Sequence, residues 1–183
     1  MRRAATLITS LSLLTLATAG PAAAAGPGDD LTPRVPGKHS VVHREQAAIA
    51  ASPARIWDIL ADLPRYGEWN PWVRQAEGRL EPGSRVDVTV VLGNHVMAAQ
   101  HTVLVVEPQH RLCWRDAGWN AYFVYGQRCR TLEQRPDGTV LVTNELLLDG
   151  IFSSSTNLLM GAALQQGLAG ETSALKQRAE RAS

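Results

Sequence analysis

His101, Arg128, Arg130 and Asn144 are the polar side chains whose types and positions bear on chemistry in this chain. A histidine on an apolar strand face either moves protons or orients a ligand carbonyl. A guanidinium turned into a cavity binds a carboxylate, an enolate or a phenolate. His101 and Arg128 are therefore the candidate catalytic groups. Each has an ordinary alternative: a histidine satisfied by a backbone carbonyl or water, and an arginine in solvent. Other chemistries find no residues. His39, His43, His95 and His110 lack metal-ligand spacing, and Cys113 and Cys129 stand on different strands, so no metal is expected. There is no glycine-rich phosphate loop and no nucleophile elbow. Ser153-Ser154-Ser155 reads as a helix start, and no cofactor is expected.

The elements that position these residues follow from turn chemistry and periodicity. Gly93-Asn94 is a two-residue hairpin signal. Centred there, Val91 pairs with Val96, Val90 with Met97, Val88 with Ala99 and Val86 with His101. One face then holds Val86, Val88, Val90, Met97, Ala99, His101, Val103 and Val105; Asp87, Thr89, Ala98, Gln100 and Thr102 form the wet face. A turn at 107–110 brings Leu112 and Trp114 onto the apolar face and leaves Arg111, Cys113 and Arg115 outside. A last hairpin turns at Pro136-Asp137-Gly138, and Val140, Val142, Asn144, Leu146 and Leu148 share one face. If even residues pair with even ones there, Arg128 and Arg130 point inward beside Asn144; a bulge at the turn would put both outside. Solvated arginines are the more common case, and one inside with one at the rim is the most that burial allows, because two buried guanidiniums without partners would be prohibitive; the facing of the two stays open. Trp114, Trp119 and Tyr125 are candidates to line or cap a ligand site.

Ahead of these strands come a strand from about Ser40 to Ala51 and a short helix over roughly 53–63. Ser52 caps that helix, Pro53 opens it, and Ile56, Ile59, Leu60 and Leu63 form its stripe. A long helix runs from Ser153 to about Arg181, with Met160, Leu164, Leu168, Leu175 and Ala179 as its apolar stripe. Gly161, Gly167 and Gly170 interrupt it, each at about 1 kcal/mol of helix propensity. They imply either a close approach to the sheet or space beside it. The fold class is α+β: a curved antiparallel sheet wrapped around a long C-terminal helix, with one or two short helices after the first strand.

With the connection near residue 119 taken as symmetric, Cys113 faces Tyr125. Cys129 then lies four residues away, about 13 Å along a strand. A disulfide needs Cα atoms within about 7 Å, so two free thiols are expected.

The N-terminus carries Arg2-Arg3, an apolar run from Ala4 to Ala19, and Ala22-Ala23-Ala24-Ala25, the pattern of a signal peptide cleaved after Ala25. The apolar run is too short for a membrane span. Residues 26–39 read as a flexible leader, and 40–183 as one domain. The full chain of 183 residues carries a formal charge of +1; without Arg2 and Arg3 it has 16 basic against 17 acidic residues. That balance gives no electrostatic case for nucleic acid. A secreted or periplasmic monomer is expected.

"SPARIWDILADLPRYGEWNPW", "RLCW", "TNELLLDG" and "ALKQRAE", in that order, resemble the START-like, helix-grip superfamily, and within it the polyketide cyclase/dehydrase and lipid-transport branch of SRPBCC proteins. The resemblance spans about residues 40–181. Trp57, Trp69, Asn70 and Pro71 match the family's "W…WNP" region, and Trp114 its "L-x-W" strand. It implies a pocket between sheet and long helix that holds an apolar small molecule or lipid. The lining expected from the faces above is Trp72, Val88, Val90, Met97, Ala99 and His101, with Trp114, Arg128, Asn144 and Leu146 from later strands and Met160 and Leu164 from the helix. Asn144 and Leu146 stand where relatives often carry a histidine and an acid. Both departures remove a titratable group and favour an exported binding or carrier domain over the alternatives, a cyclase/dehydratase-like enzyme on a polyketide-type substrate and a protein-interaction module.

Overall fold

The computed structural model describes residues 30–117 and 123–181. The signal-peptide segment and Trp119 lie outside the described residues. Strand β1 (Val41–Ile49) leads into helix α1 (Pro53–Ala61) and a 3-10 helix (Leu63–Glu68). Ser52 caps α1 by accepting the Arg55 N–H at 3.2 Å, and Pro53 opens it. Pro64 supplies no N–H, so the chain tightens into the 3-10 turn. Strands β2 (Val73–Gly78), β3 (Arg85–Leu92), β4 (His95–Glu107), β5 (Arg111–Asp116), β6 (Tyr125–Gln134) and β7 (Val140–Asp149) follow, then helix α2 (Ser153–Glu180). All pairings are antiparallel, in the order β1-β7-β6-β5-β4-β3-β2. The first strand thus closes on the last, and α2 packs against β1 and β7 on the concave face. This is the helix-grip arrangement.

The β3–β4 register is the one the Gly93-Asn94 turn dictates, with Val86 opposite His101 and Val90 opposite Met97. Gly93 takes a φ of +59°, the region glycine favours. Val86, Val88, Val103, Leu112, Trp114, Val140 and Val142 join Ile56, Leu60 and Leu175 in one core.

Three expectations are corrected. First, a bulge between Val103 and Val105 changes the facing of β4 past Val103. Val105, expected inside, packs outside with Leu104, and Val106 packs against the core instead. Second, β5 and β6 pair with Cys113 opposite Cys129, and the two form a disulfide with Cα atoms 4.2 Å apart. The strand register is centred on position 121 rather than 119; each residue of displacement shifts the pairing by two, and the expected four-residue offset disappears. Third, the segment expected to be an unattached leader has partners from Asp30 onward. Leu31 packs on the disulfide, the Arg34 N–H donates to Gln127 at 2.8 Å, and the Arg34 guanidinium lies 3.9 Å above the Tyr125 ring. The outer face of β5 and β6 is therefore dry rather than wet, and Tyr125 belongs to it.

The disulfide closes a loop of 16 residues, worth about 3 kcal/mol by the chain-entropy estimate. Thiol counting under denaturing, non-reducing conditions should find none. The double substitution Cys113→Ser, Cys129→Ser should lower the urea midpoint by the equivalent of about 3 kcal/mol.

Candidate functional site

The centre of the concave face is polar. Glu171, wholly buried on α2, receives the Arg130 Nε–H at 2.7 Å and the Asn70 Nδ2–H at 2.9 Å. Asn144 Nδ2 donates to it at 3.3 Å, and Arg128 Nη1 stands 3.1 Å from its second oxygen. Arg130 Nη2 is also 2.7 Å away but lacks hydrogen-bond alignment, so that contact is ionic only. Asn70 is fixed from its other end, because its Oδ1 accepts the N–H groups of Trp72 and Val73. Burial alone would push the Glu171 carboxyl up; the charges of Arg128 and Arg130, with hydrogen bonds from Arg130 and Asn70, overcome it and hold the group well below the usual carboxylate range. Burial, then the like charge of Arg130, push Arg128 down to about 10, which leaves it cationic at neutral pH.

Indole rings hold the guanidiniums from the sides. Arg128 lies 4.4 Å from the Trp72 ring centroid and 5.0 Å from that of Trp114, and Arg130 lies 4.4 Å from Trp114. Such contacts strengthen when desolvated. Trp72 reaches this place because α2 has no side chain there: a Cβ on Gly167 would stand 2.6 Å from the indole. Gly170 likewise faces the Pro71 ring, where a Cβ would stand at 3.3 Å. Two of the helix glycines thus seat the "NPW" corner against the helix.

Above this layer a cavity of about 480 Å³ opens between the sheet and α2. Trp72, Trp114 and Arg128 form its floor, and Val90, Ala99, Leu146, Leu148 and Leu164 are among its walls. Met97 is half-exposed at the rim. His101 stacks on Trp114 with ring centroids 5.5 Å apart, and its Nε2 is 3.3 Å from Asp116 Oδ1. His101 Nδ1 is buried without a hydrogen-bond partner. Gly126, directly beside Asp116, leaves the room that carboxylate occupies in the wall.

Nine of the twelve expected lining residues meet at this cavity: Trp72, Val90, Met97, Ala99, His101, Trp114, Arg128, Leu146 and Leu164. Val88 is packed in the core, Asn144 lies beneath the floor bonded to Glu171 and Thr172, and Met160 stands away from the cavity. Both arginines are buried, beyond the limit of one inside and one at the rim. The last hairpin has no bulge: Arg128 pairs with Leu146 and Arg130 with Asn144. Reading α2 as an apolar stripe missed Glu171, the partner that makes both burials tolerable. Its signal was an acid between Leu168 and Leu175 on the same helical face. Asp116, directly opposite His101, was legible by carrying the parity of β5 two residues past Trp114.

A family model described as "Polyketide cyclase / dehydrase and lipid transport" matches residues 40–180. No sequence match is found among curated proteins. The fold is similar to that of the Zhui aromatase/cyclase of a Streptomyces species, at 15% identity and a TM-score of 0.62, covering 78% of this chain and 95% of that one. It is similar to the di-domain ARO/CYC protein BexL at 14% identity and a TM-score of 0.65, covering 79% of this chain and 51% of that one, so this chain spans about half of BexL. A START superfamily protein from Mycobacterium smegmatis matches at 18% identity and a TM-score of 0.58, covering 76% and 97% of the two chains.

Glu171→Gln keeps the shape but leaves two buried guanidiniums without a counter-charge, and should cost about 3–5 kcal/mol in urea unfolding. In the wild type the Glu171 carboxyl ionises more easily folded than unfolded. Its contribution is therefore complete above the ordinary value of 4.5 and lost as pH falls from there toward 2. The acid limb of a plot of Tm against pH should shallow in Glu171→Gln. Gly167→Ala should be destabilising by about 1–3 kcal/mol through overpacking against Trp72, despite its better helix propensity, and should shift tryptophan emission.

Proposed function

The chain belongs to the polyketide cyclase/dehydrase and lipid-transport family, and from that membership we propose that it is an exported carrier that binds one apolar or aromatic small molecule or lipid between sheet and helix. The observation that carries this reading is the cavity of about 480 Å³ with largely aliphatic and aromatic walls. Its size falls in the range of small-molecule sites, about 300–1,000 Å³. Apolar area buried there contributes about 25 cal/mol per Å², so affinity needs few polar contacts. Export is supported by the N-terminal pattern through Ala25 and by the Cys113–Cys129 disulfide, a bond that persists in oxidising compartments. The formal charge is small and gives no basis for a nucleic-acid partner. The proposed form is a monomer without a metal or cofactor.

A second reading has its own observation. The His101–Asp116 pair, beside Arg128 in the same cavity, has the composition of a proton-transfer site. In a cyclase or dehydratase-like reaction His101 would take a proton from carbon and Arg128 would stabilise the enolate that forms.

Native mass spectrometry of the protein purified from its host should show an apolar ligand that co-purifies, on a chain that begins at Gly26. An empty protein that also fails to bind any apolar fluorescent probe would sink the carrier reading. Under that reading His101→Ala keeps probe affinity within about tenfold, the scale of one lost hydrogen bond. Conversion of the co-purified ligand by the wild type, abolished in a folded His101→Ala, would decide for the enzyme.

A further inference from the structure

We infer that the ligand is a monoanion, an apolar molecule carrying one carboxylate that pairs with Arg128 at the cavity floor. This rests on the carrier reading and names the chemical class of its ligand. Among the described buried residues at the floor there are two guanidiniums and one carboxylate. The cluster therefore holds one positive charge more than its buried partner balances; the next carboxylate that acts on Arg128, Asp116, is half-exposed and engaged with His101. An uncompensated charge out of water is costly, and its cost falls when an anion joins it. Arg130 has its Nε committed to Glu171 at 2.7 Å and lies beneath the floor. Arg128 meets Glu171 through an ionic contact at 3.1 Å, and its Nε has no hydrogen-bond partner although the residue is 95% buried. It is also the arginine that lines the cavity. The flanking rings of Trp72 and Trp114 hold its fork in place, so little side-chain freedom is lost when a planar carboxylate meets it.

The other charged groups set the orientation and the charge. Asp116 is half-exposed in the wall and engages His101 Nε2. It repels an anionic head there and directs it to the floor, so the apolar body lies outward along Leu146, Leu148 and Leu164. A phosphate monoester brings about two negative charges at neutral pH and overshoots the single excess charge, whereas a carboxylate matches it. A neutral alcohol or amide leaves the excess unbalanced.

The test compares dodecanoate with dodecanamide, binding to the full mature chain at pH 7.5, followed by intrinsic tryptophan fluorescence, to which Trp72 and Trp114 at the cavity contribute. The acid should bind at least about tenfold tighter, the scale of one hydrogen bond to a charged group. Dodecyl phosphate should bind more weakly than the acid. Arg128→Met, which leaves Arg130 and Glu171 as a balanced pair, should remove most of the difference between acid and amide. Arg128→Lys should keep part of it. Equal binding of acid and amide by the wild type overturns the inference while leaving the carrier reading standing. A phosphate preference, or an acid preference undiminished in a folded Arg128→Met, overturns it too. If neither acid nor amide binds, the inference is overturned, and the carrier reading is decided separately by the co-purified ligand and the apolar probe.

Discussion

A single buried carboxylate organises this protein. Glu171 sits on the long helix where its face meets the sheet, and it is reached from three directions. Asn70 comes from the corner after the 3-10 helix, Arg128 and Arg130 from β6, and Asn144 from β7. Removing Glu171 leaves both guanidiniums buried without a counter-charge, and the penalty for an unpaired buried charge is far larger than the gain from a paired one. The network therefore specifies where the helix lies along the sheet as well as holding it there. The indole of Trp72 completes it, pressed between Gly167 on one side and the Arg128 guanidinium on the other.

That constraint also shapes the cavity. Around Gly167 and Gly170 the helix comes down onto Trp72 and Pro71 with no side chain between. One helical turn earlier, Leu164 lines open space instead. The same helix thus seals the sheet at one level and leaves room at the next. The floor is charged because the network ends there, and the walls are apolar because the inner residues of β3, β4 and β7 alternate with the outer ones. The proposed carboxylate ligand would set its charged end on that base and its apolar body along those walls. The His101–Asp116 pair stands in the wall of the same chamber, so composition alone does not separate a binding role from a catalytic one.

Much of this frame was readable residue by residue. The Gly93-Asn94 turn gave the β3–β4 register and with it the inward placement of His101. The alternation from Val140 to Leu148 gave the inner face of β7. Where local signals ran out, the errors were specific. The sequence between β5 and β6 carries no two-residue turn signal to mark its centre, and a displacement of two residues there decided whether Cys113 met Cys129. The bulge between Val103 and Val105 has no signature in a run of valines and leucine. Glu171 was passed over because an acid amid an apolar stripe looks like an interruption until its partners, distant in sequence, are brought to it.

The sequence by itself determined the order of the elements, the faces of most strands and the family. These follow from periodicity, turn residues and the "WNPW" corner, all of which act over a few neighbouring positions. Only the tertiary structure decided the disulfide, the burial of both arginines and the charge of the cavity floor. Each depends on groups 16 or more residues apart meeting at a few ångströms. Electrostatic and covalent partnerships at that range depend on register and helix placement, quantities to which a local pattern of apolar and polar residues is blind.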